Sequence, residues 1–201
     1  MCIIAIEGEK REKQYFDKFG NTKIKVVTLP TLTGDSSEPE EIIKRLREYK
    51  EKEDIQEDDM CWLVFDVDNR SEERLKVVCD EAEKENFRVA ISNPCFEFWL
   101  FLHKFDAKGL DQSIYQVSPE QRPKLMKQIL HDSKYDYHSL DHWDFPKDVE
   151  GAIERAKNKE RGRRKSFPLF PGTDVYKVVK SLPIKTQEDY LKEHQIGDKN
   201  S

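Results

Sequence analysis

The sequence predicts a three-layer α/β/α fold with a mostly parallel central sheet and a C-terminal helical region. Three observations carry this. Short apolar runs recur through the first half of the chain, each followed by a helix-compatible segment. The runs are apolar almost throughout, as strands covered on both faces are. Beyond Phe105 they cease, and the chain becomes polar with helical pieces. Strand–helix alternation of this kind specifies parallel strands with helices packed on them.

Cys2 to Ile6 is the first run, rich in β-branched residues, and reads as a buried strand ended by Glu7-Gly8. A charged helix is expected from Lys10 to Phe19, with Tyr15, Phe16 and Phe19 on one face, stopped by Gly20-Asn21. Ile24 to Leu29 is the second strand, closed by Pro30. A helix opening at Glu38 or Pro39 runs through Tyr49, with Ile42, Ile43, Leu46 and Tyr49 facing inward. Met60 to Phe65 is the third strand and ends at Asp66-Val67-Asp68-Asn69. Ser71 caps a helix to about Glu85. Phe87 to Ile91 is the fourth strand. Asn93 and Pro94 then suit the cap and first turn of an apolar helix from Cys95 to about His103.

Further helical pieces lie near Pro119–His131, Asp148–Arg161 and Asp174–Leu182, with a loop rich in aromatics and Asp from Tyr135 to Phe145. These elements divide the chain into an α/β core over 1–105, a helical extension packed on it over 106–190, and a flexible tail over 191–201.

Composition limits the function classes. Charged residues make up 37% of the 201 positions and hydrophobic residues 36%, with a formal net charge of −5. A molecule-wide basic surface is absent, so any nucleic-acid contact must be local. Cys2, Cys61, Cys79 and Cys95 match no zinc spacing and read as reduced, buried thiols. No secretory leader is expected, and no apolar run approaches the roughly 20 residues that a bilayer demands. A cytoplasmic protein without membrane contact is therefore expected.

The chemistry concentrates at strand ends. Ligands of an open parallel sheet bind beyond the carboxyl ends of its strands. Glu7 ends the first strand, Asp66 and Asp68 the third, and Ser92 and Asn93 the fourth, so all should share one rim. Three carboxylates crowded together repel one another, and a divalent cation relieves that cost. All-oxygen ligands suit Mg²⁺ or Mn²⁺ rather than zinc. In an extended chain, alternate residues point the same way, so Asp66 and Asp68 should both reach one metal. Gly8 allows a sharp turn after Glu7 and a close approach to phosphate. Helix capping is the plainer role of such acids. It suits Asp68 ahead of Ser71 but explains the set of three poorly. A metal-holding set should place the carboxylates of Glu7, Asp66 and Asp68 within about 10 Å of one another.

Three segments resemble the RloB-like family. Glu7-Gly8-Glu9-Lys10-Arg11-Glu12 with Tyr15-Phe16 resembles its first motif, and Phe65-Asp66-Val67-Asp68 its second. Ser92 through His103, reading SNPCFEFWLFLH, resembles its most specific motif. Gly172-Thr173 with Val175, Val178 and Leu182 resembles the start of the closing helix. The chain departs from the pattern at Arg11, where a small hydroxyl residue is usual, at Lys104, and at Phe170-Pro171-Gly172-Thr173.

The resemblance implies a Toprim/Rossmann-like fold and a place in bacterial antiphage defence, related to Toprim nucleases of the OLD family. It implies a Mg²⁺-dependent nuclease with Glu7, Asp66 and Asp68 as metal-binding and catalytic carboxylates and Glu12 as a further catalytic acid. Expected partners are a nucleic acid, RNA (tRNA among them) or DNA, and an ATPase from the same locus, with a homodimer as a further assembly. The alternative is a catalytically silent or signalling subunit that binds the ATPase.

Secondary candidates complete the reading. Glu97 lies in the first turn of the apolar helix and either adds a carboxylate to the rim, orients a basic residue, or favours the helix dipole. Ser92, Asn93 and Lys10 are candidate phosphate contacts, although Ser92 and Asn93 also suit capping. His103 is a candidate general base or phosphate contact, although a lone His near an apolar helix end is more often a satisfied surface or core histidine. The run Lys157 to Lys165, with Arg161, Arg163, Arg164 and Lys165, is basic in an acidic chain and suits a nucleic-acid backbone or a solvated loop. Tyr135, Tyr137, His138 and Trp143 suit base stacking or core packing. A response-regulator receiver would explain Asp66 and Ser92, but needs an acidic pair at the first strand and a Lys after a fifth. A haloacid-dehalogenase phosphatase carries Asp-x-Asp on its first strand, not its third.

Overall fold

A computed structural model describes residues 1–7, 10–19, 24–28, 39–53, 55–56, 59–68, 70–133, 135, 140, 143, 145–160 and 167–182. It is a three-layer α/β/α structure. The strands are β1 (Cys2–Ile6), β2 (Ile24–Thr28), β3 (Met60–Asp66), β4 (Arg88–Asn93) and β5 (Gly172–Thr173). The helices are α1 (Arg11–Asp17), α2 (Pro39–Lys52), α3 (Glu72–Lys84), α4 (Phe96–Lys104), α5 (Arg122–Asp132), α6 (Phe145–Glu160) and α7 (Val175–Ser181). The sheet order is β2-β1-β3-β4-β5, parallel except where β5 runs antiparallel to β4.

The continuous apolar runs exist because both sheet faces are covered. Cys2, Ile4 and Ile6 of β1, with Trp62 and Val64 of β3 and Ala90 of β4, face α1, α4, α5, α6 and α7. Ile3 and Ala5, with Cys61, Leu63, Phe65 and Ile91, face Ile42, Ile43 and Leu46 of α2 and Leu75, Val78 and Ala82 of α3. Strand side chains alternate between faces, so each strand feeds both layers. Among the described residues no helix is long and apolar enough to cross a membrane. Cys2, Cys61 and Cys95 are buried, Cys79 is half-buried, and all four are free thiols.

In α3, the Ser71 hydroxyl accepts from the Arg74 N–H at 3.3 Å, as an N-cap should. Elsewhere the capping expectation needs correcting. Asn93 does not cap α4, because β4 extends through it and its side-chain amide donates to the Pro168 carbonyl at 3.2 Å. Cys95 holds the cap position, without a side-chain cap bond. Helix α4 is buried all round, from Phe96 to His103, because it lies under the sheet and against α5 and α6. Burying Phe98, Trp99 and Leu100 stabilises the fold by roughly 1.5–3 kcal/mol each.

The C-terminal half supplies something the sequence pattern did not show, an edge strand. In β5, Thr173 pairs with Ser92 and Gly172 with Asn93. A two-residue strand has no periodicity to read. Gly172 is demanded by crowding, since a Cβ there would stand 2.6 Å from the Leu169 carbonyl oxygen. The Asp174 N–H then donates to the Ile91 carbonyl at 2.8 Å and leads the chain into α7.

Candidate acidic site at the sheet's switch point

Strand order fixes where a ligand would sit. Strands β1 and β3 are parallel neighbours, yet α1 leaves β1 toward one face and α3 leaves β3 toward the other. Their carboxyl ends therefore open a crevice, the usual ligand position in such sheets. The Glu7 N–H extends the ladder by donating to the Val64 carbonyl at 3.2 Å, and Asp66 is the last residue of β3. Glu7 and Asp66 thus stand on the same rim. A cavity of about 520 Å³ opens there. It is lined by Glu7, Glu12, Asp66, Asp68 and Glu97, together with Phe65 and the cations Lys10, Arg11 and Lys127. All five carboxylates singled out as catalytic candidates are brought to this one cavity.

Their electrostatic situations differ. Burial pushes the Asp66 carboxyl well above its ordinary value, and the carboxylates of Glu12, Glu97, Asp68 and Glu7 push it further. Among the described residues no hydrogen bond or ion pair reaches this carboxylate. Burial also raises Glu12, which has Glu97 nearby as a repelling neighbour. Glu97, 3% exposed, has Arg11 Nε at 3.7 Å and Lys127 Nζ at 3.8 Å. Burial works to lower the Lys127 ammonium, but the Glu97, Cys95 and Asp66 charges outweigh it and raise the group.

Glu7 is held by a residue that the sequence reading overlooked. Arg70 places Nη2 at 2.6 Å from Glu7 Oε1, and Nη1 donates to the Asp66 carbonyl at 2.8 Å. Asp68 Oδ2 lies 3.6 Å from the same guanidinium. Burial still pushes Glu7 above its ordinary value, against the pull of Arg70. The signal was Arg70 itself, two residues beyond Asp68 on the turn leaving β3. A rim crowded with acids requires a cation, and this is the nearest in sequence.

The geometric argument from Asp-Val-Asp is corrected. The chain leaves the strand after Asp66, and Asp68 adopts a left-handed φ of 45° with its side chain half-exposed. The alternation of an extended strand does not apply. Asp68 reaches the cavity through a turn.

Three phosphate-contact candidates are placed elsewhere. The Ser92 hydroxyl is fully buried and shares a 3.0 Å hydrogen bond with Thr173 Oγ1, so the strand pairing consumes it. Asn93 lies beside the main cavity, in a smaller one. His103, 3% exposed, sits in the aromatic core with Tyr15 Oη at 3.2 Å and the Trp99 carbonyl at 3.0 Å, closed to any phosphate. Lys10 is exposed at the cavity. The basic run's Arg161, Arg163, Arg164 and Lys165 lie outside the described residues, as do Tyr137 and His138. Trp143 is buried, packs against Tyr135, and has Lys104 over its ring, which is core packing.

His103 carries a stability prediction. Burial lowers its pKa from 6.5 to about 3. The unfolded chain takes up a proton below about 6.5 while the folded chain does not, so stability falls as pH drops from 6.5 toward 3. Chemical denaturation across this window should lose on the order of a few kcal/mol. His103→Gln should flatten that slope, and an unchanged slope would assign the acid sensitivity to other groups.

The donor set suits a hard divalent cation, being carboxylate oxygen only. Asp66 is the anchor it offers, with the carboxylates of Glu12, Glu97, Asp68 and Glu7 acting on it from the same cavity wall. In the present arrangement Glu7 and Asp68 are turned to Arg70. Among the described residues no three His, Cys, Asp or Glu side chains close around a single point.

No curated protein and no solved structure matches the chain. The model of the RloB-like protein family matches residues 2–182, and the chain belongs to the RloB-like family.

Proposed function

We propose that this protein is a Mg²⁺- or Mn²⁺-dependent, Toprim-like nuclease that cleaves phosphodiester bonds as an effector of bacterial antiphage defence. One observation carries the reading. Asp66, at the end of β3 on the switch-point rim, is half-buried among four other carboxylates, and among the described residues no hydrogen bond or ion pair reaches its carboxylate. Such a group is costly to a fold unless a cation shares it. A bound divalent ion would polarise a phosphate oxygen and lower the pKa of an attacking water. Asp66 would hold that ion, with Glu7, Asp68, Glu12 or Glu97 completing the oxygen set. Glu12, raised by burial, is suited to hold a proton for the leaving oxygen. Lys10, exposed at the mouth, would steer the phosphate backbone inward. RNA, tRNA included, is the favoured substrate by analogy with related effectors.

The test is cleavage of tRNA, single-stranded RNA, plasmid and linear DNA by the full chain, in Mg²⁺ or in EDTA. Cleavage that requires the metal is expected. No cleavage of any substrate, with or without the ATPase of the same locus, would move the second reading forward. That reading, a catalytically silent or signalling subunit docked on the ATPase, is favoured by Arg70, which already occupies Glu7.

A further inference from the structure

A second cavity of about 270 Å³ adjoins the acidic one and shares Asp68 with it. Its wall includes Arg70, Asn93, Glu120 and Arg122. Arg122 opens α5, and its Nε is buried without a hydrogen-bond partner. Its guanidinium lies 4.1 Å from the Phe170 ring centroid, which orients the planar fork while leaving donors unspent. Two acids share the wall. Asp68 is turned to Arg70, and the exposed Glu120 is held first by the Ser118 hydroxyl and also feels the charge of Arg122, which it partly offsets. Tyr115 packs edge-on to the same Phe170 that Arg122 stacks on, with ring centroids 5.4 Å apart, yet remains 41% exposed. An arginine with a donor unspent and an exposed aromatic near it are the two parts of a nucleotide subsite, one for the phosphate and one for the base.

We propose that this second cavity binds a backbone phosphate of a single-stranded nucleic acid, adjacent to the phosphate at the acidic site, through Arg122, with Tyr115 stacking the attached base. The subsite deepens the nuclease reading and rests on it. A single strand fits better than a duplex, because only an unpaired base offers its face to Tyr115.

The test measures binding of fluorescein-labelled single-stranded DNA and RNA oligonucleotides to the full chain in EDTA, where metal-dependent cleavage is off. Inorganic phosphate serves as competitor. Arg122→Gln should weaken binding roughly 10- to 100-fold, as expected for the loss of charge-assisted hydrogen bonds, and reduce the salt slope by about 1. Glu120→Gln, at an exposed position with no fold to lose, should tighten binding by removing a repelling charge. Tyr115→Ser should weaken oligonucleotide binding but not that of inorganic phosphate. Unchanged affinity in Arg122→Gln and Glu120→Gln, or no binding of either oligonucleotide by the wild type, would overturn the subsite. So would Arg122-dependent binding of inorganic phosphate alone. Cleavage by Asp66→Asn, read separately in Mg²⁺, decides the nuclease reading whichever way the subsite falls.

Discussion

Asp66→Asn should reduce metal-dependent cleavage by about 10³-fold or more, because the metal's contribution to the transition state is several kcal/mol. The same change should make the metal-free protein more stable at neutral pH. Asp66 is raised well above its ordinary value of 3.8 by burial and by four neighbouring carboxylates. Above 3.8 the unfolded chain gives up this proton readily, while the folded chain retains it or bears a buried, repelled charge. The folded state then binds more protons than the unfolded one, and stability falls as pH rises through that window. Asn cannot ionise, so its advantage should appear above 3.8, grow with pH, and be absent below it. Thermal unfolding in EDTA across pH reads this directly. A variant that is less stable and still cleaves would assign Asp66 to structure.

Arg70→Ala should be the most damaging single change on the rim for folding. The guanidinium is 10% exposed, and it satisfies both Glu7 and the Asp66 carbonyl. Its removal leaves the half-buried Glu7 carboxylate without its strongest partner, at a cost of about 1–3 kcal/mol. Adding Glu7→Gln should restore a large part of that loss, since the orphaned charge disappears with it. A double-mutant cycle by urea denaturation should therefore give a coupling on the order of 1–3 kcal/mol. Additive effects would mean that the ion pair does not hold the rim together.

How far the sequence revealed this architecture depended on what kind of signal each part leaves. Strands β1, β3 and β4 were legible because burial on both faces forces unbroken apolar runs. Helix α3 was legible because Ser71 caps it. Strand β5 was not, since two residues carry no pattern and their place is set by Ser92 and Ile91 across the sheet. At the site, Glu7 and Asp66 were legible as acids interrupting apolar strand ends. The turn at Asp68 was not: Asp tolerates a left-handed φ better than most residues, but it also sits readily in an extended chain, so the residue type alone does not mark the turn. Arg70 and Lys127 were missed for different reasons. Arg70 looked like one of many surface charges, and Lys127 reaches Glu97 only through the tertiary packing of α5 on α4. For His103 the satisfied core position was among the plainer readings of a lone His near an apolar helix end, and the burial of α4 to its last turn selects it.

The central claim is that the acidic rim holds a divalent cation through Asp66, and calorimetric titration of Mn²⁺ into the metal-free full chain tests it most directly. Repeating the titration in buffers of different ionisation enthalpy counts the protons exchanged. The account predicts saturable binding accompanied by proton release, because a carboxyl raised by burial must give up its proton to become a ligand. It also predicts that Asp66→Asn loses both the binding and the release. No saturable Mn²⁺ binding by the wild type, or equal binding by Asp66→Asn, would contradict it.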